Sequence, residues 1–286
     1  MNIVIDYALV DGNGLPRWVD LLKACDRAGS RFAGVIFRGA FGTDPDPTVR
    51  RDWESAQHAG LTTGAYLFLR DRQNQPVVDQ VHAFADNVGT LTANDFVPII
   101  DVEDTWPSAE AELEALHVAW RAMKDIYGVP PMLYDSNRVW TEDLHNLPAA
   151  EMLASPQWVA KPWPLHPRSP ALLSPKPFAL GRYEPIVPAP WGATNWWLHQ
   201  YQGDALPVPG FTDTVDLSRF HLMREGTTGP RAAWVLRRLG WGIQTVFDAA
   251  MVGRLRAYQA AHGLVADGII GLKTFTRICW TPLPSA

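Results

Sequence analysis

The 286-residue chain has only two cysteines, Cys25 and Cys279, close to opposite ends. That excludes a disulfide scaffold and a cysteine-rich zinc site, so the fold must rest on packing. No apolar run approaches the ~18 residues that suggest a membrane span, and no membrane partner is expected. G-x-G-x-x-G, G-x-x-x-x-G-K, H-E-x-x-H and G-x-S-x-G are all missing, so nucleotide-binding, zinc-protease and serine-hydrolase readings lack support. The eight histidines are scattered without ligand spacing; no metal and no cofactor is expected. A positive excess is missing too. Twenty-five Lys and Arg stand against thirty Asp and Glu, a net charge of -5, which argues against nucleic acid as a partner. The N-terminus enters Ile3-Val4-Ile5-Asp6 with neither a basic leader nor a cleavage site, which predicts synthesis without a secretory signal.

What is present suffices for a large core, since 47% of the residues are hydrophobic and 19% charged. At about 100–200 residues per domain, the length fits one large unit and one small one. Thirteen Trp are available to offer aromatic faces in a cleft, a common way to hold flat, weakly charged ligands such as sugars.

Short apolar runs alternate with helix-period segments from the first residue, the pattern of an α/β domain with parallel strands. The strands are predicted at Ile3–Asp6, Gly34–Arg38, Gly64–Leu69, Val97–Glu103, Pro131–Asp135, Gln157–Lys161, Trp196–Tyr201 and Thr214–Leu217. Eight runs fit an irregular (β/α) TIM-like barrel. Trp18, Leu21, Leu22 and Cys25 form one helical stripe that Gly29 ends. Asp46 can cap a second helix whose stripe is Val49, Trp53 and Ala56, and Pro76–Val88 and Ser108–Tyr127 read as two more. Ten of the residues from Pro156 to Pro190 are proline, so this stretch reads as a strand and then a long loop. The loop is either a wall or lid beside the cleft or a surface insertion.

Residues 223–229, with Gly226, Thr227, Thr228 and Gly229, have no apolar periodicity and read as a linker. The predicted division is a barrel over 1–222 and a small all-α three-helix module over 230–286. Its helices are expected at Pro230–Leu239, at Ala249–His262 with Asp248 as cap, and at Leu272–Cys279.

Chemistry concentrates in Val97-Pro98-Ile99-Ile100-Asp101-Val102-Glu103-Asp104, an apolar strand that ends in acids. In extended backbone Asp101 and Glu103 share a face, roughly 6.6 Å apart along the chain. Two close, partly buried carboxylates cannot both ionise freely, which leaves a protonated donor beside an anion. Glycoside hydrolysis uses such a pair. In α/β barrels catalytic groups lie at strand C-terminal ends, where Asp6 ends the first strand and Asp216 lies in or at the end of the eighth.

Over residues 1 to about 222 the sequence resembles the family 25 glycoside hydrolases, the Chalaropsis-type lysozymes. Ile5-Asp6-Tyr7, Gly34-Val35-Ile36-Phe37-Arg38, Ala59–Tyr66 and Ile100-Asp101-Val102-Glu103 carry the likeness, in order. Pro131-Met132-Leu133-Tyr134, Trp158-Val159-Ala160, Trp197–Tyr201 and Val215-Asp216-Leu217 continue it. The resemblance implies that Glu103 is the general acid, assisted by Asp101, with Asp6 and Asp216 completing an acidic floor. It places Tyr66, Trp197, Tyr134 and Arg38 against the substrate, peptidoglycan glycan strands cut between N-acetylmuramic acid and N-acetylglucosamine.

The segment Leu255–Phe275 is similar to small peptidoglycan-binding domains. Asp267-Gly268 and Gly271 predict a tight turn whose amides are left free near a helix start, and Tyr258 lies on the neighbouring helix. Barrel, wall-binding tail and missing leader together resemble a phage endolysin, a monomer held in the host cytoplasm until a holin-type lesion admits it to the wall. The alternatives are a non-catalytic wall-binding protein with a degenerate barrel, or a host autolysin acting on another amino-sugar polymer.

Overall fold

Alternating apolar patterning produces strands whose inward faces must bury against one another, and here the ring closes. The computed structural model describes residues 1–8, 15–72, 74–136, 138–145, 150–161, 170–174, 184–185, 191–192, 195–205 and 208–282. Strands β1 (Asn2–Tyr7), β2 (Arg31–Phe41), β4 (Thr62–Phe68), β5 (Ile99–Asp101), β6 (Met132–Ser136), β7 (Gln157–Ala160), β8 (Leu198–Ala205) and β9 (Val215–Phe220) form the barrel. β1 pairs with both β2 and β9, which closes it, and the two-residue β3 (Asp44–Pro45) extends the end of β2. All eight predicted strands are present.

The expectation of parallel strands throughout fails at β9. It runs antiparallel to both β8 and β1. The reason is length: only residues 206–214 separate β8 from β9, and a parallel return needs a crossover of about a dozen residues or more. Asp216 lies in this strand, as expected, and the reversal puts it at the second position of β9, where it pairs across from Asp6.

Among the described residues four α-helices cover the barrel: α1 (Trp18–Arg27), α2 (Val49–His58), α3 (Val77–Val88) and α4 (Ala109–Tyr127). Their stripes are as the spacing predicts, with Trp18, Leu21 and Cys25 buried on α1 and Val49 and Ala56 on α2. Asp46 accepts from the Thr48 amide and hydroxyl ahead of α2, and Ser108 caps α4 by accepting from Ala111. Between β6 and β7 the described residues form a π-helical turn (Val139–Asp143) and a 3₁₀ turn (Ala150–Ala154) rather than an α-helix. Most of the proline-rich loop lies outside the described residues. Among those described, no helix is long and apolar enough to cross a membrane.

The C-terminal module consists of α5 (Pro230–Arg238), α6 (Ala249–Ala261), capped by Asp248 at the Met251 amide, and α7 (Leu272–Cys279). It sits at the foot of the barrel, the end where the parallel strands start. Met223 pairs with Ile270, Gly226 N–H donates to Phe247, and Thr228 bridges Val246. The stretch expected as a linker is therefore hydrogen-bonded into the module.

One apolar cluster runs through both parts. Phe275 of α7 stacks on Trp197 at 4.5 Å and lies 5.4 Å from Phe220, while Trp234 of α5 lies 5.5 Å from Trp197. Trp234 and Trp280 donate their indole N–H groups to the carbonyls of Ala154 and Asp95. Gly34 of β2 has no side chain to spare: a Cβ there would lie 2.8 Å from the Thr62 carbonyl and 3.0 Å from Leu272 Cδ2. Both cysteines are buried and unpaired, each thiol pushed up to about 12 chiefly by burial.

A chain ending at Glu225 would uncover Trp197 and Phe220, and is expected to be poorly soluble. Phe275→Ala is expected to cost about 3–5 kcal/mol, the usual loss for a large aromatic in a core, and to lower one unfolding transition shared by the whole chain in calorimetry. A separate barrel transition left unmoved would show that the two parts fold independently.

Candidate active site

The opposite end of the barrel is its mouth, and the inward residues of successive strands meet there. Asp6 (β1), Arg38 and Phe41 (β2), Tyr66 and Phe68 (β4), Asp101 (β5) and Glu103 just beyond it line one cavity of about 160 Å³, joined by Tyr134, Trp158, Gln200 and Asp216. All four predicted acids are therefore brought together, with the predicted Tyr66, Tyr134 and Arg38 around them. Asp101 closes β5, and Val102, fully buried, faces the other way, so that Glu103 returns to the same cavity.

Trp197 is not among them. It precedes β8, which places it at the foot, fully buried against Phe275. Among the described residues, Trp158 of β7 is the tryptophan that lines the mouth. Its ring lies 4.4 Å from Tyr134, and its N–H donates to Ser218 at 2.9 Å.

Gln200 is the residue that sequence reasoning missed. Its Nε2 donates to Asp6 Oδ2 and to Asp216 Oδ2, both at 3.2 Å, and its Oε1 accepts from the Tyr134 hydroxyl at 2.7 Å. The signal was available: Leu198 and Gln200 share the inward face of β8, and a buried amide must find partners. Asp216 is held further by the Asp204 N–H, which donates to Oδ1 at 2.7 Å. Arg38 reaches Asp46 at 3.4 Å, and Asp104 is taken by Arg70 at 2.6 Å.

Loss of water dominates the electrostatics. Burial, then the charge of Asp216, lifts the Asp6 carboxyl well above its ordinary range, and the Gln200 amide offsets only part. Burial, then Glu103, does the same to Asp101. Asp216 is raised to about 6, mainly by burial, against the lowering effect of the Asp204 N–H. Glu103 stands at the exposed rim, yet the surrounding protein strips enough water from its carboxyl to raise it, helped by Asp216 and opposed by Arg138. Asp135, buried behind the mouth, is lifted as well, by burial first. Such a group keeps a proton toward neutral pH while a neighbour ionises. Asp6 Oδ1 and Asp101 Oδ1 have no partner among the described residues.

In the tail the turn is present but its amides are not free. Gly268 N–H donates to Gln259 Oε1 and Ile269 N–H to Asp267 Oδ1. Gly268 has φ +77°, and a Cβ there would lie 2.7 Å from Val252 Cγ1. Asp267 and Gly268 are thus consumed in building the turn, Gly271 precedes α7, and Tyr258 bonds Thr281 and packs on His262. Among the described residues no group of three or more His, Cys, Asp or Glu is arranged to hold a metal ion.

Residues 29–210 match the sequence profile described as Glycosyl hydrolases family 25. The chain belongs to that family. A second profile, described as Putative peptidoglycan binding domain, matches residues 234–278. No curated protein matches the sequence. Among solved structures, this family 25 glycoside hydrolase is similar to a bacterial lysozyme from Streptomyces coelicolor, at 20% identity and TM-score 0.58 over 77% of this chain and 91% of the other. A muramidase from Acremonium alcalophilum is similar at 18% identity and TM-score 0.56 over 77% and 94%. The CTP1L endolysin is similar at 16% and 0.54 over 77% and 67%. At these identities the likeness supports the barrel fold.

A buried carboxyl whose pKa is raised on folding stabilises the folded state fully below its unfolded pKa, and that stability is lost as pH rises through the folded pKa. Asp101 accepts no side-chain hydrogen bond among the described residues. Asp101→Asn is therefore expected to be more stable than the wild type at pH 7. The difference should close toward pH 4 in thermal unfolding. A gain independent of pH would exclude charge burial as its source.

Proposed function

We propose that the protein is a muramidase that hydrolyses the β-1,4 bond between N-acetylmuramic acid and N-acetylglucosamine in peptidoglycan. The observation that carries this is the convergence of Asp6, Asp101, Glu103 and Asp216 on one aromatic-sided mouth, with every one of these carboxyls raised. Glu103, protonated at the accessible rim, gives its proton to the leaving glycosidic oxygen. Asp101, deeper and beside it, orients the 2-acetamido group or faces the positive charge that develops at the anomeric carbon. The acetamido oxygen then serves as internal nucleophile, and water completes the hydrolysis with Glu103 as base. Gln200 keeps Asp6 and Asp216 in place beneath the sugar. Tyr66, Tyr134 and Trp158 form its walls.

The tail holds the enzyme on insoluble wall, which raises the effective concentration of the barrel at its substrate. In this reading the protein is an endolysin. It waits in the cytoplasm of a phage-infected cell and reaches the wall through a membrane lesion. The presence of an endolysin among proteins of the same fold supports that assignment.

Glu103→Gln is expected to lose at least about 100-fold in dye release from purified walls, the worth of a general acid, with the fold unchanged by circular dichroism. Mass analysis of wild-type digests should find new muramic reducing ends; glucosamine reducing ends would exclude the muramidase reading. Cells expressing the protein should stay intact until their inner membrane is permeabilised, then lyse. Lysis without that step would exclude storage in the cytoplasm.

A further inference from the structure

The junction between the barrel foot and the helical module is not closed. Two adjoining cavities lie there, of about 440 and 270 Å³, sharing Gly60, Thr62, Leu264 and Lys273 as lining. The larger is bounded on the barrel side by Asn2 and Arg31, and on the module side by the loop 263–271 and the first turn of α7. The smaller continues past Gln57 and Asp95 to His262 and Arg277.

The charges that face this cleft are unequal. Arg31, Lys273 and Arg277 form no ion pair and no side-chain hydrogen bond among the described residues, and Lys273 and Arg277 are one helical turn apart on α7. The two acids present are spent internally. Asp95 accepts from Thr63, Gln57 and Thr92, and Asp267 accepts from Gln259 and Ile269. The local imbalance follows a global one. From Met223 to Ala286 there are eight Lys and Arg against three Asp and Glu, whereas residues 1–222 have seventeen against twenty-seven. A cleft with free cations and satisfied acids attracts an anion.

Its remaining surface narrows the choice. The lip is apolar: Val265 is 78% and Ile269 37% exposed. Among the described lining residues the aromatic surface is small: Phe32 is 3% exposed, and the exposed His262 ring has one face against Tyr258. Cations beside small aliphatic groups suit a carboxylate flanked by methyl side chains better than they suit a glycan.

We propose that this cleft is a binding site for the carboxylate of a short alanine-bearing peptide, such as a wall stem peptide, and that Arg31 of the barrel is part of it. The site belongs to both units, so its ligand bridges them. The assignment of peptide to wall rests on the muramidase reading; the carboxylate site does not.

The test titrates the full-length protein with N-acetyl-D-alanyl-D-alanine and with its C-terminal amide, read by NMR shifts. The free acid should bind, and the amide about tenfold more weakly or less still, from the loss of a charged hydrogen bond. Arg31→Ala and Lys273→Ala should each weaken the acid about tenfold by the same loss, while both turn over soluble glycan fragments like the wild type. Equal binding of acid and amide, or wild-type affinity in Arg31→Ala, would overturn the site. Walls stripped of phosphodiester polymers should still retain the protein, and retention should fall in Arg31→Ala. Loss of retention on stripping would assign the cleft to phosphate and overturn the peptide. Arg31-dependent peptide binding in a protein that releases no muramic ends would leave this inference standing and remove only the muramidase reading.

Discussion

Carboxylates crowded into a space short of water repel one another and lose hydration, and this constraint organises the mouth of the barrel. The arrangement persists because closure is enforced by strand pairing elsewhere: β9 inserts between β8 and β1 and presents Asp216 directly across from Asp6. A neutral amide, Gln200, sits between them, where a cation would have lowered both carboxyls. Arg70, Arg38 and Arg138, guanidinium groups near the mouth, are turned to Asp104, Asp46 and Asp143. The charge of the floor is left largely uncompensated, and a rim acid can hold its proton.

The other end of the barrel obeys a different rule. Its ring of strand starts is covered by aromatic side chains from α5 and α7, and the resulting cluster treats barrel and module as one interior. The domain boundary suggested by composition is a change in sequence style across a continuous core. Residues 223–229 look like a spacer because, apart from the buried Met223 side chain, they are held by backbone, through the Met223–Ile270 and Thr228–Val246 pairings, and backbone pairing leaves no trace in side-chain periodicity.

Much of the fold was legible. Eight apolar runs, the stripes on α1 and α2, and the cap at Asp248 could be read because each depends on local spacing. The acids could be placed because Asp101 and Glu103 end a strand whose alternation fixes their direction. What could not be read depends on connection length and on which end of a strand a residue occupies. The direction of β9 needed the short 206–214 connection to be weighed against the demands of a crossover. Trp197 is one residue ahead of β8 and faces α7, whereas Trp158, inside β7, faces the mouth. Gln200 was hidden in a motif noticed for its aromatics. The turn at Gly268 was expected, but the use of its amides by Gln259 depends on a helix packed alongside.

Mouth and foot are separated by the height of the barrel, roughly 13 Å between Asn2 and Asp6 along β1 from ~3.3 Å per residue, and they open in opposite directions. Under the proposed reading, catalysis and tethering engage different chains of a meshwork, so that an attached molecule scissions its neighbours while its own foothold stays whole.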